Sequence, residues 1–299
     1  MKLRDDMSVK VFEKEMERLV SPNATLVKLA SGFQFTEGPV WHAEEHTLYF
    51  SDIPANTIFR YNKNTGTDIY RQPSHYANGL IIDAQGRLLA CEHQTRRVTR
   101  TSDAGVEVIT DRYQGKRLNS PNDLVIARDG SILFTDPLYG LREGLGGPGE
   151  QELNFQGLYR VPAGASEPVL LADDFEAPNG LAFSPDESHL YVDDTVRRHI
   201  RVFNVGEDYT LTGGEVLVEV KGEGEGKPDG MKVDVEGHIY CTGPQGIWIC
   251  TAQGDVLGRI QVPEKTSNLA WGSEGYRTLF ITASTSIYQI PFIVSGNGK

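Results

Sequence analysis

Six times along this chain a polar residue opens a short apolar strand: Glu37-Gly-Pro-Val, Asn78-Gly-Leu-Ile, Asn122-Asp-Leu-Val, Asn179-Gly-Leu-Ala, Asp229-Gly-Met-Lys and Asn268-Leu-Ala-Trp. Successive lead residues stand 41, 44, 57, 50 and 39 positions apart. A repeat of roughly 40 to 50 residues is the spacing of β-propeller blades, each of which buries its faces only by packing on its neighbours. A second apolar strand follows each lead, centred on Tyr49-Phe50, Leu88-Leu89, Ile132-Leu133, Leu190-Tyr191, Ile239-Tyr240 and Leu279-Phe280. Turn formers such as Asp83-Ala-Gln-Gly and Arg128-Asp-Gly separate the two strands. A third strand follows in each repeat, and a fourth is visible in some, as at 105–110 and 167–172. The expected fold is all-β: a six-bladed propeller with four antiparallel strands per blade.

The last repeat is one strand short. The segment 24–30 reads as a strand and lies ahead of the first repeat. It is expected to complete the sixth blade and close the ring, which removes the unpaired sheet edge. Residues 1–22 form an N-terminal extension, a short helix or a frayed tail, and 23–297 form a single propeller domain. The one long interruption, 139–156, is rich in glycine and reads as a loop, with a lid over the site and a mobile surface loop as its two readings.

Composition narrows the partners. The net charge is −12 and no basic run occurs, which argues against nucleic acid and against anionic membrane surfaces. No stretch approaches the roughly 20 apolar residues of a membrane span, and the first residues carry no secretory signal pattern. Three cysteines, Cys91, Cys241 and Cys250, are too few for a disulfide framework. Cys241 and Cys250 could face each other across a hairpin, but reduced thiols and a cytoplasmic location are the expectation. The oligomeric state is left open.

In a propeller the innermost strands line a central channel, so equivalent positions meet around one axis. The six lead residues all offer oxygen, and none offers sulfur or imidazole. Such a set suits a hard cation, Ca²⁺, Mg²⁺ or Mn²⁺, and Glu37 with Asp229 would balance a divalent charge. The competing reading is that Asn-Gly and Asp-Gly serve only turn geometry. Asp52, Glu92, Asp136 and Asp194 end the second strands and are expected at the same mouth, as further site acids or as caps of turns.

With these residues in view, the chain resembles the superfamily of gluconolactonase, regucalcin (SMP-30) and diisopropylfluorophosphatase. The resemblance rests on the stretches at 35–41 (FTEGPVW), 115–124 (GKRLNSPNDL), 133–140 (LFTDPLYG), 177–186 (APNGLAFSPD) and 227–233 (KPDGMKV). It runs over nearly the whole chain after residue 30 and is nearest to bacterial sugar lactonases. The resemblance implies one divalent ion, commonly Ca²⁺, with Mg²⁺, Mn²⁺ or Zn²⁺ able to serve. It implies Glu37, Asn179 and Asp229 as ligands, with Asn122 on the ion or beside it, holding substrate. Regucalcin-like members carry a substrate-binding arginine where this chain has Ser120.

The expected reaction is hydrolysis of an aldonic acid lactone, with the ion polarising the carbonyl and Asp229 as base for the attacking water. Arg117, His93, His75, Tyr139 and Asn122 are the candidate contacts to the sugar. Two alternatives remain: a metal-dependent phosphotriesterase or arylesterase on the same site, and a non-catalytic calcium-binding scaffold.

Overall fold

The computed structural model describes residues 8–298. Six sheets stand around a central axis, and from the hub outward their strands follow chain order except for the outermost strands of the fifth and sixth, which come from the N-terminal segment. The innermost strands are Thr36–His42, Ala77–Ile82, Leu124–Ile126, Pro178–Phe183, Met231–Val233 and Thr266–Gly272. The chain is thus a six-bladed propeller. Strand Val27–Ser31 pairs antiparallel with Ser286–Pro291 and completes the sixth blade from the opposite end of the chain. The N-terminal segment also holds a one-turn helix, Met16–Leu19. Ahead of it, Val9–Val11 pairs with Val256–Gln261, so the fifth blade has five strands.

The apolar pairs of the second strands now have a reason. Successive side chains of a strand point to opposite faces, and both faces of a blade are covered by neighbours. Leu48 and Phe50 pack toward the sixth blade, whereas Tyr49 packs toward the second. Likewise Ile132 and Phe134 meet the second blade, and Leu133 meets the fourth. Unbroken apolar runs rather than alternation are the mark of sheets buried on both sides. All three cysteines are buried and unpaired. Cys241 faces Trp248 across its hairpin and Ile239 faces Cys250, so the two thiols are diagonal rather than opposite. Among the described residues, no helix is long and apolar enough to cross a membrane.

Candidate functional site

The lead residues reach the axis because their strands are kinked. In the first blade the register passes from Glu37 opposite Ser51 to Val40 opposite Tyr49, so two residues face one. The same count recurs at Asn78-Gly79, facing Cys91, and at Asn179-Gly180, facing Asp193. These are β-bulges, which re-aim side chains. The Asn-Gly pairs therefore lie inside hub strands and not in tight turns. The glycine lets adjacent blades touch. A Cβ on Gly180 would collide with the carbonyl oxygen of Asp229 and lie 2.8 Å from Asp193 Oδ2. A Cβ on Gly230 would overlap Asn268 Oδ1.

Glu37, Asn78, Asn122, Asn179 and Asn268 are buried, while Asp229 keeps part of its surface open to solvent. Asn268 Nδ2 donates to Glu37 Oε2 at 3.1 Å and lies 3.4 Å from Asp123 Oδ2. Glu37 Oε2 also accepts the Gly38 N–H at 2.7 Å. Asn179 Nδ2 donates to Thr195 Oγ1 at 3.0 Å and the same amide hydrogen-bonds Asp229. With its N–H groups so engaged, Asn179 has its carbonyl oxygen left as a donor to a cation.

Two further acids, Asp123 and Asp193, complete this hub. Asp123 follows Asn122 where four of the other five repeats carry glycine, and Leu124 N–H donates to its Oδ1 at 2.9 Å. Asp193 is fully buried, and its Oδ1 has no partner. Sequence reasoning passed over both. The departure from glycine at 123 was the available signal; for 193 only the strand register decides.

Carboxylates crowded in a buried hub resist ionisation. Burial, then the charge of Asp229, holds the Glu37 carboxyl well above its ordinary range. Asp193 is raised in the same way by burial and by Asp229. Burial pushes Asp229 up to about 7, against the relief given by Lys265 and the Asn179 hydrogen bond. Asp123 is raised by burial, with Lys232 opposing.

The structure distributes the other candidates unequally. His93 is buried beside the hub. Its Nδ1 meets Leu145 O at 2.8 Å and its Nε2 meets Asn78 Nδ2 at 3.4 Å. Burial lowers it to about 4, so the neutral ring donates through Nδ1 and accepts through Nε2. Tyr139 is half-buried, hydrogen-bonds Thr195 and lies within electrostatic reach of Asp229. Arg117 points elsewhere. Its guanidinium donates to Thr95 O at 3.0 Å, and its N–H donates to Glu152 at 2.8 Å. His75 sits half-buried in the loop that enters the second blade's inner strand.

The strand-end acids cap loops. Asp52 accepts the N–H groups of Gln34 and Phe35, Asp136 those of Asn119 and Ser120, and Asp194 those of Glu176 and Ala177. Each pair stands three and two residues before a lead residue, so these carboxylates set the entry of the hub strand. Glu92 departs from the pattern and binds Arg71 and Arg97 instead.

Residues 35–285 match the family described as the SMP-30/Gluconolactonase/LRE-like region. The chain belongs to this family. Among its SMP-30/gluconolactonase relatives is a gluconolactonase of Zymomonas mobilis subsp. mobilis, 32% identical over 93% of this chain and 84% of that protein. A pentonolactonase of Haloferax volcanii is 29% identical over 83% of this chain and 81% of its own length. A gluconolactonase structure from Xanthomonas campestris superposes with a TM-score of 0.89 at 34% identity, covering 95% of this chain and 94% of that one.

The hub chemistry of this SMP-30/gluconolactonase member fits a hard divalent cation. All its donors are oxygens, the acids are mutually repelling, and one buried carboxylate oxygen is orphaned. Among the described residues no three acidic, histidine or cysteine side chains come close enough to ligate one ion by themselves. A cation here would draw on amide oxygens as well as carboxylates.

Proposed function

We propose that this protein hydrolyses a sugar lactone, an aldonic acid ester closed on itself, with the help of one divalent cation, Ca²⁺ by preference. The reading is carried by one observation: Asp229 meets both Glu37 and Asn179, residues spread over 192 positions of sequence, at the hub of a chain whose relatives include sugar lactonases. Glu37, Asn179, Asp229 and Asn122 would hold the ion. When bound, it supplies Lewis-acid polarisation of the lactone carbonyl and stabilisation of the developing oxyanion.

The chain's own residues do the rest. Asp229, partly open to solvent, takes a proton from the attacking water as the new C–O bond forms. A carboxylate oxygen of Asp229 not committed to the ion serves that exchange. The ring C–O bond then breaks, and the proton is returned to the leaving alkoxide. Thr195 and Asn179 fix one side of the mouth, and the Tyr139 phenol borders it. Ring opening releases an acid, so a pH-indicator assay on gluconolactone reads the reaction directly. Chelation is expected to abolish turnover and added Ca²⁺ to restore it. Turnover indifferent to chelator would remove the ion from the mechanism. Turnover of an aryl ester or a phosphotriester but not of lactones would replace the substrate class.

A further inference from the structure

The insert 139–156 is no free-swinging loop where it meets the hub. Ser120, fully buried, donates through Oγ to Pro137 O at 2.5 Å and accepts the Gly140 N–H at 2.9 Å. His93 holds Leu145 O from below. Gly140 is packed so closely on His93 and Ser120 that a Cβ would lie 2.5 and 2.6 Å from their carbons. Further along, Arg96 donates to Glu150 O at 3.0 Å, and Leu153 is buried in the core between the second and third blades. The segment so pinned carries a short 3₁₀ turn, Tyr139–Leu141. Directly after that turn comes Arg142.

The Arg142 guanidinium lies over the face of the Tyr139 ring, 5.1 Å from its centroid. The phenol end of the same ring hydrogen-bonds Thr195, which in turn holds Asn179. The Tyr139 ring and Thr195 therefore link a hub ligand candidate to an exposed cation. Most arginines of this acidic chain are matched with carboxylates: Arg71 and Arg97 with Glu92, Arg160 with Asp129, Arg201 with Asp174. Among the described residues Arg142 has no such mate and no side-chain hydrogen bond, and its guanidinium stacks on the tyrosine. A planar fork of donors, stacked on a ring that reaches the hub, is preorganised for paired oxygen acceptors at little further entropic cost.

We infer that Arg142 is a specificity-determining residue that binds adjacent hydroxyl groups of the lactone, on the side away from the carbonyl, so that the site selects polyhydroxylated lactones over bare ones. This rests on the lactonase reading and adds the substrate feature that the mouth recognises.

The test compares glucono-1,5-lactone with δ-valerolactone, which has the same ring and no hydroxyl groups. For Arg142→Ala, the Michaelis constant for gluconolactone is expected to rise about tenfold or more, the scale of a lost charge-assisted hydrogen bond, with kcat within about twofold. Arg142→Lys, a point charge without the fork, should recover only part of the loss. Kinetics on valerolactone should be unchanged, which also shows that the variant is folded. Inhibition by gluconate should weaken in parallel and gives a readout independent of turnover. Equal losses on both lactones, or unchanged constants for gluconolactone and gluconate, would overturn the assignment while leaving the lactonase reading intact. A wild-type protein that opens neither lactone would instead overturn that reading, and this inference with it.

Discussion

Asp229 stands under opposing demands, and they set its pH behaviour. Burial raises it from 3.8 to about 7, while Lys265 and Asn179 favour the ionised form. In the unfolded chain it ionises near pH 4. The metal-free folded protein holds the proton more tightly, so from about pH 4 upward ionisation favours unfolding, and the penalty is complete above pH 7. A bound cation reverses this by favouring the carboxylate. The rise in melting temperature given by Ca²⁺ should therefore be larger at pH 8 than at pH 5, as measured by thermal shift. Asp229→Asn should reduce kcat by roughly 10²-fold or more, the scale of general-base loss. It should also keep the circular dichroism of the blades and shrink that calcium-induced rise. Wild-type turnover in the Asp229→Asn variant would remove this carboxylate from the chemistry.

Blades and loops differ in how far the sequence exposes them. Blade strands carry doubly buried apolar runs, so Leu48-Tyr49-Phe50 or Ile132-Leu133-Phe134 announces a strand without further help. Val9–Val11 carries only a three-residue pattern, and its pairing partner lies at 256–261, so nothing local marks it. The insert 139–156 was legible as a loop, but its anchoring was not. The contacts that fix it, Gly140 on His93 and on Ser120, join segments tens of residues apart. Ser120 is occupied in holding this loop. Gly140→Ala should therefore force the insert away from the second blade. An overpacking cost of about 1–3 kcal/mol is expected, read as a lowered melting temperature together with a raised Michaelis constant for gluconolactone. An unaffected melting temperature would mean that the insert yields freely.

Across the whole molecule, the repeat was readable because six similar units must present equivalent positions to one axis. That symmetry marks all six lead residues, and the family resemblance singles out Glu37, Asn179 and Asp229 among them. Asp123 and Asp193 are not so marked, because each breaks the pattern of its neighbours: one replaces a glycine, and the other is the first of two adjacent aspartates. Which aspartate of that doublet enters the hub is decided by a bulge, a property of paired strands rather than of either strand alone.

The joining of Val27–Ser31 to Ser286–Pro291 carries a consequence for biosynthesis. Every proposed ligand has left the ribosome long before the final hairpin does, yet Asn268, which braces Glu37, belongs to the blade that this hairpin finishes. A nascent chain halted at residue 265 would own all four ligands and still lack catalysis. Such a truncation, made as a recombinant product, should show no lactone turnover at any calcium concentration.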